Sequence, residues 1–228
     1  MNSQTCREIR FGLVALALAG LLFTLSIVIR GPLDRDTAAL MSAALSSNFV
    51  PGAVIGLIGG VIQIYGLFGL YRYLTYQRES LIAFLAVMVS PLGIVLVLPL
   101  VTFLSVNVPV IAELYQQGNQ EVIAVVESSF SGLGLAVLGV HSLCGLAGAF
   151  LFAAAIWRDG RLPRWISILY ALSGIMLSLS GPGLFVTELL GALVFLMSAG
   201  VIAWYGWHES APGAVQSASQ EGVLKPVS

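Results

Sequence analysis

Residues 165–208 read WISILYALSGIMLSLSGPGLFVTELLGALVFLMSAGVIAWYGWH and contain one charged side chain, Glu188. A helix needs only ~17 to 25 apolar residues to cross ~30 Å of hydrocarbon, so this stretch is too long for one span. The sequence Gly181-Pro182-Gly183 divides it, because glycine and proline favour turns and end helices. We therefore predict two membrane helices here, joined by a tight turn.

The rest of the chain has the same apolar character. Of its 228 residues, 58% are apolar and 9% are charged, and the mean hydropathy is +0.96. A typical soluble domain is ~25% charged, so this composition excludes a water-soluble globule. Strands that cross a membrane would need ~10-residue alternation of apolar and polar positions, which the sequence lacks. We predict an all-α polytopic transmembrane bundle of six helices.

The charged residues separate six uncharged runs, each long enough to span a bilayer as a helix. Trimmed at glycine and proline, these runs predict spans at 11–29, 52–71, 81–106, 133–157 and 165–180, with a sixth that ends at 208. The two longer connections, 31–51 and 107–132, are predicted to hold short outer amphipathic helices, the first over 38–45. Residues 1–208 are therefore expected to form a single transmembrane domain, and the polar segment 209–228 a disordered cytoplasmic tail.

Basic residues set the expected orientation. Eight lie on one side of the predicted bundle and only Arg30 and Arg35 on the other. The positive-inside rule then places both termini in the cytoplasm, and the protein is expected in the plasma (inner) membrane. All four tryptophans fall at the cytoplasmic helix ends, where amphipathic rings prefer the headgroup region. The basic residues on that side are Arg7, Arg10, Arg72, Arg78, Arg158, Arg161, Arg164 and Lys225.

Glycine spacing predicts where helices pack closely. Gly52, Gly56 and Gly60 form a small-xxx-small ladder on the second span. The fourth span carries a similar stripe in which Gly145 and Gly148 follow His141 at spacings of 4 and 3. We expect both stripes to face neighbouring helices rather than lipid.

Polar residues within the spans mark a candidate ligand site. His141 and Glu188 each lie 16 residues from a tryptophan of the inner belt, Trp157 and Trp204, or roughly 24 Å above it at 1.5 Å per residue. Because they share this depth, we expect a structural pair between them or a polar pocket in the outer leaflet. The same depth count adds Ser26, Ser178 and Ser180 to the pocket, and Gln63 nearer mid-membrane.

Other chemistries lack the residues that they need. His141 and Cys144 share a helix face, but zinc sites normally use four ligands, and His208 lies at the other end of the bundle. No nucleotide-binding loop and no serine-hydrolase elbow is present, and basic residues are too sparse for nucleic acid. We therefore expect no metal, no cofactor and no nucleic-acid partner, and assign no catalytic residue.

One segment carries a resemblance to a known family. The helix with His141 leads into IWRDGRLPR at 156–164, whose GRLPR portion matches a G-x-L-P-[RK] pattern. In this the chain resembles a family of bacterial multi-pass membrane proteins that is catalogued as a domain of unknown function. The resemblance implies a bundle of about six helices and no activity. On physical grounds, the arginines of this loop are expected to contact anionic headgroups.

Three functions remain open from the sequence. The first is binding of a small molecule or lipid in the outer-leaflet pocket, as in a transporter. The second is an accessory or structural role, in which the glycine ladder of the second span binds another membrane protein or a second copy. The third is an intramembrane redox or hydrolytic enzyme centred on His141, although an enzymatic role is the less favoured. In each case the lipid bilayer is the expected surrounding partner.

Overall fold

The computed structural model of the protein describes residues 3–32, 37–129, 131–180 and 184–209. Within these ranges the chain forms eight α-helices, one short 3-10 helix at Gln120–Val122, and no strand. The predicted all-α class is therefore confirmed. The α-helices are α1 (Ser3–Arg30), α2 (Thr37–Ala44), α3 (Phe49–Thr75), α4 (Leu81–Gln116), α5 (Ile123–Ser129), α6 (Gly132–Asp159), α7 (Arg164–Leu179) and α8 (Phe185–Glu209).

Five helices in this part of the chain are long and apolar enough to cross a membrane, namely α1, α3, α4, α6 and α8. They correspond to five of the predicted spans. The remaining predicted span corresponds to α7, which has 16 residues and so rises only about 24 Å. The hydrocarbon layer is ~30 Å thick, so a crossing at α7 stays a prediction. The predicted turn at 181–183 lies outside the described residues.

The long helices pack side by side in a ring. Its order is α1, α3, α4, α6, α7 and α8, and α8 closes the ring by packing against α1. Neighbours run antiparallel, since Gly52 in the first turn of α3 lies against Arg30 at the end of α1, whereas Gly69 lies against Gly12. We call the end where α1 begins and α8 ends the terminal end, and the opposite end the distal end.

Glycines allow α1 and α3 to pack with their backbones in contact. A Cβ atom on Gly69 would lie 2.6 Å from the carbonyl carbon of Gly12, and one on Gly66 would lie 2.6 Å from the Cα of Leu16. No real Cβ atom approaches so closely, so a larger residue at either position would push the helices apart. In a membrane such close packing replaces the hydrophobic effect as the source of helix association.

The main core occupies the terminal half of the ring. A row of aromatic rings crosses it from α1 to α6, with neighbouring centroids between 6.0 and 6.4 Å apart. Edge-to-face and tilted contacts of this kind stabilise a core beyond the area that they bury. The row consists of Phe23, Phe195, Tyr170 and Phe152.

A second, smaller core lies at the distal end. The last turns of α4, together with α2, α5 and the start of α3, bury Met41, Phe49, Ile111 and Val126. The helix predicted at 38–45 is present as α2.

The predicted end of the third span at residue 106 is wrong, because α4 continues to Gln116. Polar residues there do not end the helix, since Thr102, Ser105 and Asn107 each donate to a carbonyl one turn earlier. The region 107–116, predicted to belong to a separate short helix, is therefore the end of α4.

Candidate functional site at the distal end

An ion pair joins α1 to α8 at the distal end. Nη2 of Arg30 donates to both carboxylate oxygens of Glu188, each at 2.9 Å. The side chains are only 16% and 24% exposed. Glu188 is a predicted site residue, whereas Arg30 enters the sequence analysis only in the count of basic residues. Its position directly after the first uncharged run was the available signal.

The local backbone favours both charges. Arg30 is the last residue of α1, where the partial negative charge of the helix dipole stabilises a cation. Glu188 lies in the first turn of α8, where the partial positive charge stabilises an anion. Gly52 lets α3 approach the same point, since a Cβ atom there would lie 2.6 Å from the backbone nitrogen of Arg30. Three helices therefore meet at this ion pair.

Hydrogen-bonding capacity remains unused beside the pair. Nε of Arg30 is buried and has no partner among the described residues. One turn earlier on α1, Ser26 is 5% exposed, and its Oγ lies 2.6 Å from where a Cβ of Gly56 would be. The buried serines of the core donate to carbonyls of their own helices, for example Ser173 and Ser198. Ser26 has no such bond within the described ranges, so Ser26 Oγ and Arg30 Nε both lack a partner among the residues that the structure describes.

His141 and Glu188 do not form the predicted pair. Nδ1 of His141 lies 3.0 Å from the carbonyl oxygen of Gly93 on α4, and because a carbonyl only accepts, Nδ1 is the donor. Both oxygens of Glu188 are engaged by Arg30. The depth count was insufficient, because α6 lies between α4 and α7 in the ring and α8 is not its neighbour.

The other predicted pocket residues lie in separate contacts. Oγ of Ser178 lies against Gly145 of α6, and Ser180 donates to the carbonyl of Leu177 at 2.7 Å. Gln63 is half-buried on α3, one turn from Gly59 and from the core residue Leu67, and it makes no hydrogen bond within the described residues. Of the predicted residues, Ser26 and Glu188 are the ones that lie at the junction of α1, α3 and α8.

The predicted packing glycines contact helices of the same chain. Gly52 and Gly56 face α1, whereas Gly60 faces Ile94 and Leu98 of α4. Gly145 lies against Ser178 of α7, and Gly148 against Ser90 of α4. The second-span ladder thus contacts α1 and α4 of the same chain.

Metal-ligating residues are dispersed. Across the described ranges, no group of three or more His, Cys, Asp or Glu side chains is close enough to hold a metal ion. Cys144 packs beside Gly93, one turn from His141, at the contact between α4 and α6.

A buried polar cluster at the terminal end was missed by sequence reasoning. Arg161 binds Asp159 through two hydrogen bonds of 2.8 and 2.9 Å, and its Nη2 also donates to the carbonyl of Tyr73 at 2.5 Å. The Arg161 guanidinium lies 4.4 Å from the centroid of the Tyr73 ring, whose hydroxyl donates to Glu209 at 2.7 Å. The α6–α7 loop is thereby tied to α3 and to the last residue of α8.

Arg161, for which the sequence predicts a headgroup contact, binds Asp159 and the carbonyl of Tyr73 within the protein. Gly160, at φ 75°, ends α6 in the left-handed conformation that glycine adopts readily, and the chain then reverses so that Arg161 faces Asp159. Burial by itself lowers the pKa of Arg161, but the hydrogen bonds and charge of Asp159, with Tyr73 and Glu209, raise it above its usual value. The guanidinium therefore stays charged although it is largely buried.

Comparison of the chain with known protein families, with curated proteins and with solved structures finds no match. The distal site is therefore interpreted from its own geometry.

Proposed function

We propose that the protein is an integral protein of the plasma (inner) membrane with six crossings and both termini in the cytoplasm. A ring of antiparallel neighbours supports an even number of crossings, with α7 as the shortest. At the terminal end, Arg10 stacks on Trp207 at 5.0 Å and Arg164 on Trp157 at 5.1 Å, which are contacts typical of a headgroup region. The resemblance to bacterial multi-pass proteins agrees with this proposal.

Cysteine labelling tests the orientation. Ser46 and Gln77 are both exposed. Ser46 lies at the distal end, in the α2–α3 connection, and Gln77 lies at the terminal end, in the α3–α4 connection. Each is replaced by cysteine in a Cys6→Ser, Cys144→Ala background. An impermeant maleimide should label position 46 in intact cells and position 77 only after lysis. Labelling of position 77 in intact cells would reject the proposed orientation.

The activity that we propose is binding of a small molecule or lipid that carries an anionic group, at the distal junction of α1, α3 and α8. The observation that carries this proposal is the buried Nε of Arg30, which has no partner among the described residues. A buried guanidinium nitrogen without a partner is costly in an apolar environment, so an acceptor from a ligand stabilises it.

The chemistry of the junction suits an oxyanion. Guanidinium binds carboxylate and phosphate with geometrically matched hydrogen bonds, and Arg30 uses only Nη2 for Glu188. An oxyanion that accepts from Nε alone would leave the two hydrogen bonds from Nη2 to Glu188 in place. Glu188 would then offset the charge of Arg30 and favour a ligand that also carries a positive group.

Native mass spectrometry of protein purified in mild detergent tests this activity. The wild type should retain a bound molecule, and Arg30→Gln should lose it. Arg30→Lys, which keeps the charge but lacks the Nε edge, should bind it more weakly. Glu188→Gln should retain an anionic ligand, because the guanidinium is still present. The matched control is Arg78→Gln, which removes an exposed arginine from the terminal end.

Two results would reject the binding site. One is an unchanged bound mass in folded Arg30→Gln, and the other is a wild type that carries no bound molecule even after purification from native membranes. Retained helicity and an unchanged elution volume serve as the check on folding for each variant.

A further inference from the structure

A groove of about 400 Å³ runs along the outside of the ring between α1 and α3, near the terminal end. Its floor contains Gly12, Ala15 and Gly69. The contact of Gly12 with Gly69 brings the two backbones together without side chains above them. The same glycines that hold α1 against α3 therefore leave this seam open on the outer surface.

Aromatic side chains form the walls of the groove. Phe11 stands on the α1 side, and Tyr65 and Phe68 on the α3 side, all exposed at the surface of the ring. The groove is thus mainly apolar, and its lining residues follow the two helices. These properties match a lipid acyl chain, which in a bilayer lies in the same direction as the helices.

Charged side chains close the groove at the terminal end only. Glu8 and Arg72 form an ion pair there, with side chains 41% and 56% exposed. Ion pairs this exposed are weak, so both groups can exchange partners at little cost. Together they present one acceptor and one donor at the level where a lipid headgroup begins.

A second groove on the ring provides an internal comparison. It lies between α3 and α4, has a volume of about 390 Å³, and is lined by apolar side chains such as Leu57, Val61 and Leu98, together with the polar Thr102. Among the described residues, no charged side chain lines it. Two grooves of similar size therefore differ in whether charged side chains are present that could bind a lipid headgroup.

We propose that the α1–α3 groove binds a glycerophospholipid with an ethanolamine headgroup. One acyl chain lies between Phe11 and Tyr65, the phosphate binds Arg72, and the ammonium binds Glu8. The negative phosphate then lies beside the positive Arg72, and the positive ammonium beside the negative Glu8. This arrangement favours a zwitterion with a primary amine over a lipid that carries only negative charge. This site is separate from the distal junction and does not depend on it.

Lipid competition measured by native mass spectrometry tests the proposal. Purified, delipidated protein is mixed with equal amounts of phosphatidylethanolamine, phosphatidylglycerol and phosphatidylcholine that have identical acyl chains. The wild type should retain phosphatidylethanolamine several-fold over the other two. Ala15→Phe, which fills the floor, should reduce retention of all three lipids. The control Val14→Phe adds the same ring at an exposed position of α1 that does not line the groove.

Charge variants separate headgroup recognition from chain binding. Arg72→Gln should weaken binding of each phospholipid, whereas Glu8→Gln should abolish the preference for ethanolamine and raise the share of phosphatidylglycerol. Arg78→Gln, which removes an exposed arginine from the next loop, should change neither.

Equal retention of the three lipids by the wild type, or a preference that survives in folded Ala15→Phe and Glu8→Gln, would overturn the proposal. Folding of each variant is checked by helicity and elution volume. If Arg30→Gln loses a bound molecule while its phospholipid preference is unchanged, the distal junction and the α1–α3 groove are separate binding sites.

Discussion

Arg30 and Glu188 connect the last residue of α1 to the first turn of α8 through a single guanidinium nitrogen, which lies 2.9 Å from both carboxylate oxygens. The pair closes the ring at the distal end, where the main hydrophobic core is absent among the described residues. At the distal end this ion pair holds α1 against α8, whereas apolar packing holds the two helices together at the terminal end.

Breaking this pair should lower the free energy of unfolding. We expect Arg30→Met and Glu188→Leu each to cost about 1–3 kcal/mol, because each leaves a partly buried charge unpaired. The double variant should cost less than the sum of the two, since no charge is then left behind. Unfolding of the four proteins by SDS in mixed micelles measures the coupling, with the exposed Glu113→Gln as control. Strictly additive losses would show that the two groups act separately.

The close contact of α1 and α3 should not tolerate a methyl group. Gly69→Ala places a Cβ atom 2.6 Å from the carbonyl carbon of Gly12, so we expect a loss of about 1–3 kcal/mol from overpacking. Gly139→Ala on α6 meets no atom within 4 Å, and should be neutral or stabilising by up to ~1 kcal/mol through helix propensity. Thermal unfolding in detergent compares the two variants. Equal effects would argue against backbone contact at Gly69.

Removing the Tyr73 hydroxyl should loosen the end of α8. Tyr73→Phe deletes the donor to Glu209, a bond worth about 1.5–3 kcal/mol because the acceptor is charged. Hydrogen exchange of the last turn of α8 should accelerate, while exchange in the middle of α8 stays unchanged. Tyr76→Phe removes a hydroxyl from an exposed tyrosine of the same region and serves as the control. Identical exchange in both variants would contradict the role of this hydrogen bond.

Lysine should not replace Arg161. It cannot reproduce the two parallel bonds to Asp159 together with the bond to the carbonyl of Tyr73, so we expect Arg161→Lys to destabilise the protein by about 1–3 kcal/mol. Arg158→Lys, at an exposed position in the last turn of α6, should have little effect.

The contribution of Arg161 should also be independent of pH in the ordinary range. Its pKa in the folded protein is raised, so its stabilising effect is complete below the unfolded pKa and is lost only as the pH rises through the higher folded value. Thermal unfolding of the wild type and of Arg161→Lys between about pH 6 and 9 should therefore differ by a constant amount. A difference that shrinks across this window would indicate that another group titrates in the cluster.

Helix boundaries could be predicted where charge ends an apolar run. The predicted span at 133–157 and the observed α6 at Gly132–Asp159 differ by a few residues, because Arg158 and Asp159 terminate the run. The third span was misjudged at its distal end, where Asn107 suggested a loop. In the folded chain the side-chain amide of Asn107 donates a hydrogen bond to the carbonyl of Phe103 within α4. A hydropathy pattern does not indicate this bond.

The candidate site was predictable only in part. Depth along a helix follows from counting residues, and Glu188 is accordingly near the distal end of α8. Its partner depends on the order of helices in the ring, which a count along one helix cannot provide. For the same reason the cluster around Arg161 was missed, since its members come from α3, the α6–α7 loop and α8.

The amino-acid sequence by itself determined that this chain forms apolar helices and where most of them begin and end, because charged groups and unpaired backbone groups are costly in hydrocarbon. Only the tertiary structure decided which faces meet. Periodicity defines a stripe on each helix, but the rotation of the helix and the identity of its neighbour result from all contacts in the ring at once. That is why Glu188 meets Arg30, and His141 meets the carbonyl of Gly93.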